Sequence, residues 1–317
     1  MTIGIGAKGK NAGLAVFRAL EAAERVGTGA IGGFAVFAAI DANGELRLAE
    51  TQRGGTTTLF TQGERTGSLP PEDIAAARFA AVMSSGPDRP DPLMQFLAAD
   101  PRVGLVTGHR LPNTVGSDGV AMNAAVLACM ARGMSAKAAL DAVLEANPDV
   151  DAGMIALGPD VGIAARNSAL VSRRPDLGAA RREAGQAVVE VLHNAIRPHQ
   201  SLAPLVADIA LSIMAPSDHA TGEIIVTAGT PVIHGPRNRV LVDAGNKAVS
   251  IESENAALTS GRHNCAAVYL GAEIVREGIV IGNTLMEPNV MVEDGSVQSL
   301  SGQFEVRIPF AATRNER

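Results

Sequence analysis

The sequence predicts an α+β protein with a β-rich C-terminal part, and three observations support this fold class. Strand, helix, hairpin, helix, strand, helix pair and hairpin patterns follow one another through the first half of the chain. Beyond Pro216 the pattern changes to short strands separated by Gly, Asn and Asp turns. The 317 residues are 46% hydrophobic and 19% charged, enough to bury a core without disulfides. We therefore expect a mixed domain at 1–172, a helical connector at 173–215 and a β-rich domain at 216–317.

The first 51 residues carry clear signals for a strand, a helix and a hairpin. Residues 2–7 alternate β-branched and small side chains, which is typical of a strand. Residues 11–26 place Leu14, Phe17 and Leu20 on one helix face, with Asn11 as a possible N-cap and Gly27 at the end. Residues 33–40 and 45–51 flank the turn Asp-Ala-Asn-Gly and predict a β-hairpin.

The following segments alternate between loops, helices and strands. A polar loop at 54–67 precedes a helix after Pro70-Pro71, and a Pro- and Asp-rich break separates this helix from a short one at 93–99. We expect a strand at 103–107, a buried helix at 120–132 and a second helix at 136–146 capped by Ser135. The remaining predictions are a hairpin at 152–157 and 161–166 and helices at 177–197 and 202–214.

Composition excludes several classes of partner. The net charge of −6 and the 3% aromatic content, with no Trp, argue against nucleic-acid binding. The longest apolar run, residues 29–40, is too short to span a bilayer, and the N-terminus lacks the pattern of a signal peptide. Two cysteines are too few for a disulfide framework, so we expect a cytoplasmic protein. The apolar strands of the C-terminal half favour a homo-oligomer.

Metal and cofactor signals are weak. The dipeptide Asp218-His219 and the histidines at 199, 234 and 263 show no recognised ligand spacing, so we expect no metal. The segment Gly4-Ile-Gly-Ala-Lys-Gly9 matches a phosphate-binding loop, but only three residues precede it and no acidic ribose ligand follows. A tight strand-to-helix turn explains these glycines better than a dinucleotide does. We expect no cofactor.

Thr2 is the most informative residue for chemistry. Initiator methionine is normally removed before a residue as small as threonine, which would leave Thr2 at the N-terminus of a strand. One residue would then hold a hydroxyl nucleophile and an α-amine whose pKa lies near neutrality. Such an amine can act as the general base for its own hydroxyl, usually through a water.

The surrounding sequence resembles the opening of class II glutamine amidotransferases. The matching segments are MTIGIG at 1–6, RALEAAER at 18–25, AIGG at 30–33, DANGELRL at 41–48, and GHR followed by TVGS at 108–117. Thr2 stands where that family has cysteine, although the proteasome-like branch of the same superfamily uses an N-terminal threonine. The arginine of the family loop grips the substrate carboxylate; Arg110 lies one position earlier than that arginine.

A second resemblance, to aspartylglucosaminidases and plant-type asparaginases, covers about 114–170. It rests on GSDG at 116–119, the following helix pair, GMIA at 153–156 and GIAARN at 162–167. Both families are N-terminal-nucleophile hydrolases, built as a four-layer α-β-β-α sandwich. The two resemblances imply this fold over about 2–170. They imply hydrolysis of a carbon–nitrogen amide bond in a small, carboxylate-bearing substrate.

The implied site combines these resemblances with the chemistry of the residues. Thr2 would be the nucleophile, with Thr28 and Thr114 as weaker candidates. The turn 116–119 opens a helix, so Asp118 and Gly119, together with the Asn113 amide, are candidates for stabilising the oxyanion. Ordinary helix capping explains Asn113, Ser117 and Asp118 equally well. The expected substrate-binding residues are His109, Arg110, Thr114, Ser117 and Asn167.

Two other functions stay open at this point. The first is a non-catalytic binding or assembly module in which Thr2 is inert, which retention of Met1 would favour. The second is a nucleotide-binding α/β protein, which rests on the glycines at 4–9 alone.

Overall fold

A computed structural model describes residues 1–216 and 220–313, and the chain divides into two compact units, Met1–Pro216 and Ser217–Arg317. The strands of the first unit are β1 (Thr2–Lys8), β2 (Ala35–Ile40), β3 (Leu46–Thr51), β4 (Phe79–Ser85), β5 (Ala98–Asp100), β6 (Gly104–Arg110), β7 (Ala152–Gly158), β8 (Gly162–Asn167), β9 (Leu177–Ala184) and β10 (Ala187–Asn194). Its helices are α1 (Ala12–Val26), α2 (Thr56–Leu59), α3 (Glu72–Ala75), α4 (Met122–Ala131), α5 (Ala136–Ala146), α6 (Ala169–Ser172) and α7 (Leu202–Met214), with a 3-10 turn at Leu93–Phe96.

A six-stranded antiparallel sheet in the order β3-β2-β4-β1-β10-β9 forms the centre of the first unit. Successive side chains along each of its strands point alternately to the two faces of the sheet. Ile3, Ile5 and Val191 point to one face, where they pack against α1 and α7. Val36, Met83 and Leu192 point to the other face. Both faces of the sheet are therefore buried along its four central strands.

The second sheet has four antiparallel strands in the order β5-β6-β7-β8. Leu105 and Ile155 face the first sheet and share a buried cluster with Val36 and Met83. Val106 and other residues on the opposite face pack against α4 and α5. The first unit is thus mixed α+β, with helices on one face of each sheet and the two sheets in contact on their other faces.

Glycines bring the two sheets together close to the N-terminus. A Cβ on Gly4 would lie 2.4 Å from the carbonyl oxygen of Gly108, and one on Gly6 would lie 2.8 Å from Ile155. Both glycines lie within β1, so the strand-to-helix turn proposed from the sequence explains only Gly9, whose φ is +144°. Gly4 and Gly6 are required because β1 approaches β6 at Gly108 and β7 at Ile155 too closely for a side chain.

The predicted helix at 177–197 is wrong, since this segment forms the hairpin β9–β10 and pairs with β1. Alanine, arginine and glutamate favour a helix in isolation. Here, however, Gly185 adopts φ 58° in the turn, and Val189 and Val191 fill the core beside α7. Burial against neighbouring strands outweighs helix propensity. Consequently the first half of the range 173–215 belongs to the first sheet, and only Leu202–Met214 in that range is a long helix.

Other elements differ from the sequence prediction in smaller ways. The helix after Pro70-Pro71 is only the single turn α3, and β4 follows it and inserts between β1 and β2. Asn11 makes no side-chain cap hydrogen bond and has φ 59°, whereas Ser135 caps α5 as predicted by accepting from the Ala138 amide. The predicted strands and helices at 2–7, 11–26, 136–146 and 202–214 are present.

The second unit consists largely of strands. They are β11 (Gly222–Thr227), β12 (Val232–His234), β13 (Arg239–Val242), β14 (Ala248–Ser253), β15 (Arg262–Cys265), β16 (Glu273–Arg276), β17 (Ile279–Thr284), β18 (Val290–Glu293), β19 (Ser296–Leu300) and β20 (Glu305–Ala312). Seven form a mixed sheet in the order β11-β20-β17-β16-β13-β14-β12, and β15, β18 and β19 form a second one. Alternating side chains such as Ile224, Val226 and Ile308 form its core. Within 1–216 and 220–313, no helix is long and apolar enough to cross a membrane.

Candidate active site

Thr2 lies at the first position of β1, between β4 and β10. It stands opposite Ser85 on one side and Asn194 on the other. Because Ile3 and Ile5 point toward the helices, the alternation of the strand points the Thr2 side chain toward β6. Thr2 is 2% exposed with Met1 in place. The fold therefore holds a buried hydroxyl at the end of a central strand, between the two sheets.

Two hydrogen bonds fix the Thr2 hydroxyl. The Oγ1–H donates to Asn194 Oδ1 at 2.8 Å, and the backbone N–H of Arg110 donates to Oγ1 at 2.5 Å. Arg110 adopts φ 68°, a conformation that costs a residue with a Cβ about 1–3 kcal/mol. A strained residue at the end of β6 therefore supplies an N–H donor to the hydroxyl of Thr2.

His109 continues this polar chain away from Thr2. It is fully buried, and its Nε2 lies 2.7 Å from Asn167 Oδ1 while its Nδ1 lies 3.4 Å from Asn194 Oδ1. Burial lowers the pKa of His109, which keeps the ring neutral at pH 7. The shorter contact assigns the proton to Nε2, since only an N–H can donate to the Asn167 oxygen. A Cβ on residue 153 would lie 2.2 Å from Nε2, so Gly153 makes the space for the ring.

Asn194 is the residue that joins Thr2 to His109. It is fully buried, and its Oδ1 accepts the Thr2 hydroxyl proton. Its Nδ2 is also buried and has no hydrogen-bond partner among the residues that the structure describes. A buried amide N–H without a partner costs about 1–3 kcal/mol. An unused donor thus lies on the side chain that contacts the hydroxyl.

The Arg110 side chain already has a partner. Its Nε donates to Asp151 Oδ1 at 2.7 Å, and its Nη2 donates to Asp151 Oδ2. The hydrogen bond to Arg110 lowers the pKa of Asp151, and the same bond raises the pKa of Arg110. This bidentate geometry is the one expected for a carboxylate clamp. In this structure, however, the carboxylate bound by Arg110 is that of Asp151 and not that of a substrate.

Replacement of Asp151 by asparagine is expected to reduce stability at neutral pH by about 1–2 kcal/mol. The folded-state pKa of Asp151 lies below its ordinary value of 3.8, so the ion pair stabilises the fold above about pH 4. Its contribution is lost as the pH falls through the folded-state pKa. The unfolding free energies of D151N and the natural protein in urea should therefore differ at pH 7 and differ by less at pH 3, below the ordinary pKa of 3.8.

A matched control is Asp100→Asn, because Asp100 faces Arg102 across 3.9 Å and the Arg102 side chain is exposed. We expect little change in its unfolding free energy at either pH. If D151N lost the same free energy of unfolding at pH 7 and at pH 3, the stabilisation by Asp151 would not be ionic.

The predicted oxyanion loop makes other contacts. Asn113 donates from Nδ2 to Gln95, the Asp118 carboxylate accepts from the Val120 amide, and the Ser117 amide donates to Asn147. Thr114 accepts the Met122 amide on its carbonyl oxygen, and Gly119 takes φ 79° in the turn. Within the described part of the chain, no hydrogen bond joins residues 113–119 to Thr2. The structure brings Thr2, His109, Arg110 and Asn167 together around Asn194 and leaves this loop outside that group.

Met1 covers the site in the structure. Its carbonyl oxygen accepts from Ser85 Oγ at 2.6 Å, and its Sδ accepts from the Ala30 amide at 3.0 Å. Partial burial lowers the pKa of the Met1 α-amine, and the positive charges of Arg110, Arg89 and Arg174 lower it further. An amine at this end of β1 is therefore surrounded by cationic groups that favour its neutral form.

His193 is buried beside this chain but faces the other side of the sheet. Neither ring nitrogen has a partner among the residues described, and burial, with the nearby His109 and His199, lowers its pKa to about 4. A Cβ on residue 178 would lie 2.0 Å from Nε2, so Gly178 leaves room for this ring. We assign His193 no contact with Thr2.

No metal site accompanies these groups. Across 1–216 and 220–313, no cluster of three or more His, Cys, Asp or Glu side chains is placed to hold a metal ion. Asp218 and His219, considered in the sequence analysis, lie outside the described residues. Thr28, a weaker nucleophile candidate, forms a backbone bridge with Arg197.

Sequence reasoning missed Asn194, Ser85 and Asp151. Asn194 lay in a segment predicted as helix, so its place beside Thr2 was hidden until β10 was recognised as a strand. The segment 188–194 contained a signal for that strand, because three of its first four residues are valine and β-branched residues favour strands. Ser85 and Asp151 carry no motif of their own.

Comparison with protein families gives two matches. A family model described as Domain of unknown function (DUF6963) matches residues 2–223. Another, described as Domain of unknown function (DUF7259), matches residues 229–305. A search of curated proteins found no match to the chain.

Proposed function

This chain belongs to the family described as Domain of unknown function (DUF6963), and we propose that it is an amidohydrolase whose nucleophile is the N-terminal hydroxyl of Thr2. Its substrate is a small molecule with a carboxylate and a scissile carbon–nitrogen amide bond. The observation that carries the proposal is the buried Thr2 hydroxyl, which is held by Arg110 N–H and Asn194 at the end of a central strand.

The architecture around Thr2 supports the same proposal. Helices α1 and α7, the six-stranded sheet, the four-stranded sheet, and helices α4 and α5 follow one another through three buried clusters. We interpret this order as the four-layer sandwich of the N-terminal-nucleophile hydrolases. A nucleophile at the first residue of a central strand suits that fold, because its α-amine and hydroxyl both lie at the end of that strand.

The proposed reaction begins when the Met1–Thr2 bond has been cleaved and Thr2 carries a free α-amine. This amine takes the hydroxyl proton, and Oγ1 attacks the carbonyl carbon of the amide to form a tetrahedral intermediate. The intermediate collapses to an ester on Thr2, and the leaving amine takes the proton from the α-ammonium group. Water then attacks the ester with the amine again as base, which releases a carboxylic acid and restores the hydroxyl.

Asn194 and Arg110 supply the groups that favour attack. The Arg110 N–H stabilises negative charge on Oγ1, because it already donates to that oxygen. Asn194 Nδ2 is a donor without a partner among the described groups and is the one we assign to the oxyanion of the intermediate. His109 and Asn167 act through Asn194 as positioning residues, since their hydrogen bond fixes the ring that contacts its amide.

The first experiment asks whether Thr2 has a free amine. Intact mass reports whether Met1 is lost, and periodate oxidises an N-terminal threonine to a glyoxylyl group with release of acetaldehyde. We expect loss of one methionine, complete periodate conversion, and hydrolysis of glutaryl 4-nitroanilide, a small amide with a free carboxylate. A periodate-reactive protein that hydrolyses neither this nor other short carboxylated anilides would overturn the proposal.

A non-catalytic binding module is the second candidate function. The observation in its favour is the burial of Thr2 beneath Met1, whose carbonyl and sulfur both have hydrogen-bond donors. Retention of Met1 in the purified protein, with no reaction toward periodate, would favour this function. Two fragments whose masses sum to the full chain would instead place the nucleophile at an internal cleavage site.

A further inference from the structure

We propose that Arg89 binds the substrate carboxylate, in the space that Met1 occupies while it is attached to Thr2. This inference rests on the proposed function and assigns its substrate-binding residue. The sequence had assigned that role to Arg110. The structure gives Arg110 an internal partner, whereas Arg89, near the same end of β1, has no acidic partner among the residues described.

Three arginines lie near the N-terminus, and they differ in whether an acidic side chain neutralises them. Arg110 is held by Asp151, and Arg174 donates from Nε and Nη2 to Asp176 at 2.9 and 2.7 Å. Arg89 forms no ion pair with any acidic residue that the structure describes, and its buried Nε has no hydrogen-bond partner there. A guanidinium with an unused, desolvated donor is a strong binding partner for a carboxylate.

The neighbouring acidic groups are already used. The carboxylate of Asp88 accepts both of its hydrogen bonds from Arg53, at 2.7 and 2.8 Å, and Asp91 accepts from Gln52. Gln52 also holds the backbone of Arg89, because its Oε1 accepts the Arg89 N–H and its Nε2 donates to the Arg89 carbonyl. The loop thus fixes the position of Arg89 without neutralising its charge.

The Ser85 hydroxyl connects Arg89 to the carbonyl group of the Met1–Thr2 peptide bond. Its Nη2 donates to Ser85 Oγ, and Ser85 Oγ donates to the carbonyl oxygen of Met1. Ser85 is also the residue directly opposite Thr2 on β4. Removal of Met1 takes away the acceptor for Ser85 and leaves the hydroxyl and the guanidinium facing the vacated space.

The Met1 side chain marks part of the space that its removal would vacate. The thioether of Met1 extends to the Ala30 amide, and a Cβ on Gly29 would lie 2.8 Å from its sulfur. The Met1 side chain is short and unbranched, and its removal leaves room of that size beside Thr2. We therefore assign to the site a linear dicarboxylic monoamide, whose second carboxylate would pair with Arg89 and whose hydrolysis product is glutarate.

The test uses glutarate binding, so that it does not depend on turnover. The T2A protein without Met1 keeps the proposed pocket and cannot hydrolyse, and calorimetry with glutarate should show binding. R89M added to T2A should weaken that binding by about tenfold to a hundredfold, because a hydrogen-bonded charge is lost. R89K should weaken it less, and R102M is the matched control with no expected change, because the Arg102 side chain is exposed at the other end of β6.

The outcomes separate this inference from the proposed function. Equal glutarate affinity in T2A and T2A/R89M, or no binding to Met1-free T2A, would overturn the role of Arg89. Neither result bears on whether Thr2 hydrolyses amides. In turnover, R89M should raise KM for glutaryl 4-nitroanilide much more than KM for pentanoyl 4-nitroanilide; an equal rise with both anilides would also contradict carboxylate binding. A preparation that retains Met1 should bind no glutarate.

Discussion

Thr2→Ala is expected to abolish hydrolysis of glutaryl 4-nitroanilide, with kcat lower by a factor on the order of 10⁴ or more. The substitution removes the oxygen that attacks the amide carbon but keeps the residue small enough for removal of Met1. Initial rates at saturating anilide would measure the effect, with intact mass confirming that the N-termini of both proteins are equivalent.

Thr2→Ser is the matched control, because it keeps the hydroxyl and its α-amine. We expect T2S to retain measurable turnover and periodate reactivity, whereas T2A loses both. T2A also leaves the Arg110 N–H without its acceptor, which costs about 1–3 kcal/mol, so assays should run well below its unfolding temperature. Hydrolysis by folded, Met1-free T2A at the natural rate would sink the assignment of Thr2 as nucleophile.

The sequence was most informative where local periodicity matches final burial. In α1, Phe17 and Leu20 recur on the face that packs against the first sheet, so a helix could be predicted with its buried side. The hairpin β2–β3 was recognisable from its Asp-Ala-Asn-Gly turn, whose Asp41 carboxylate accepts from the Asn43 and Glu45 amides. These signals lie within about 15 residues.

The pairing of Thr2 with Asn194 is a contact that the sequence alone could not predict. Asn194 contacts Thr2 across 192 positions, through a strand pairing that depends on the whole sheet. Local composition favoured a helix there, and the error removed the principal partner of Thr2 from view. His109 and Arg110 were found because they adjoin each other in a recognisable motif. The predicted homo-oligomer and cytoplasmic location stay predictions.

The loop 113–119 illustrates a different limit. Its asparagine, aspartate and glycine have the composition of an oxyanion-binding turn, but the same residues suit capping and turn formation. In the structure Asn113 contacts Gln95, while Asp118 accepts the amide of Val120 two residues later. A residue type gives the chemistry that is available, and only the fold decides which group it faces.

The two candidate oxyanion donors can be separated by one pair of variants. Asn194→Asp keeps the size of the side chain but replaces the unpartnered N–H₂ with a carboxylate oxygen. Loss of one oxyanion donor costs about 10²–10³ in kcat, and we expect N194D to fall by at least this much with glutaryl 4-nitroanilide. KM should change little, because Asn194 acts on the charge that develops during attack rather than on the bound carboxylate.

Asn113→Asp is the control, since it makes the same chemical change at the donor favoured by sequence alone. Its Nδ2 already donates to Gln95 at 2.7 Å, so we expect kcat within a few-fold of the natural value. Asn194→Ala removes the donor without adding charge. A loss of kcat in both N194A and N194D would therefore not be due to the new carboxylate. A large loss in N113D with near-normal N194D and N194A would return the oxyanion site to the loop at 113–119. The opposite pattern would mean that the donor comes from β10, the strand that pairs with the nucleophile itself.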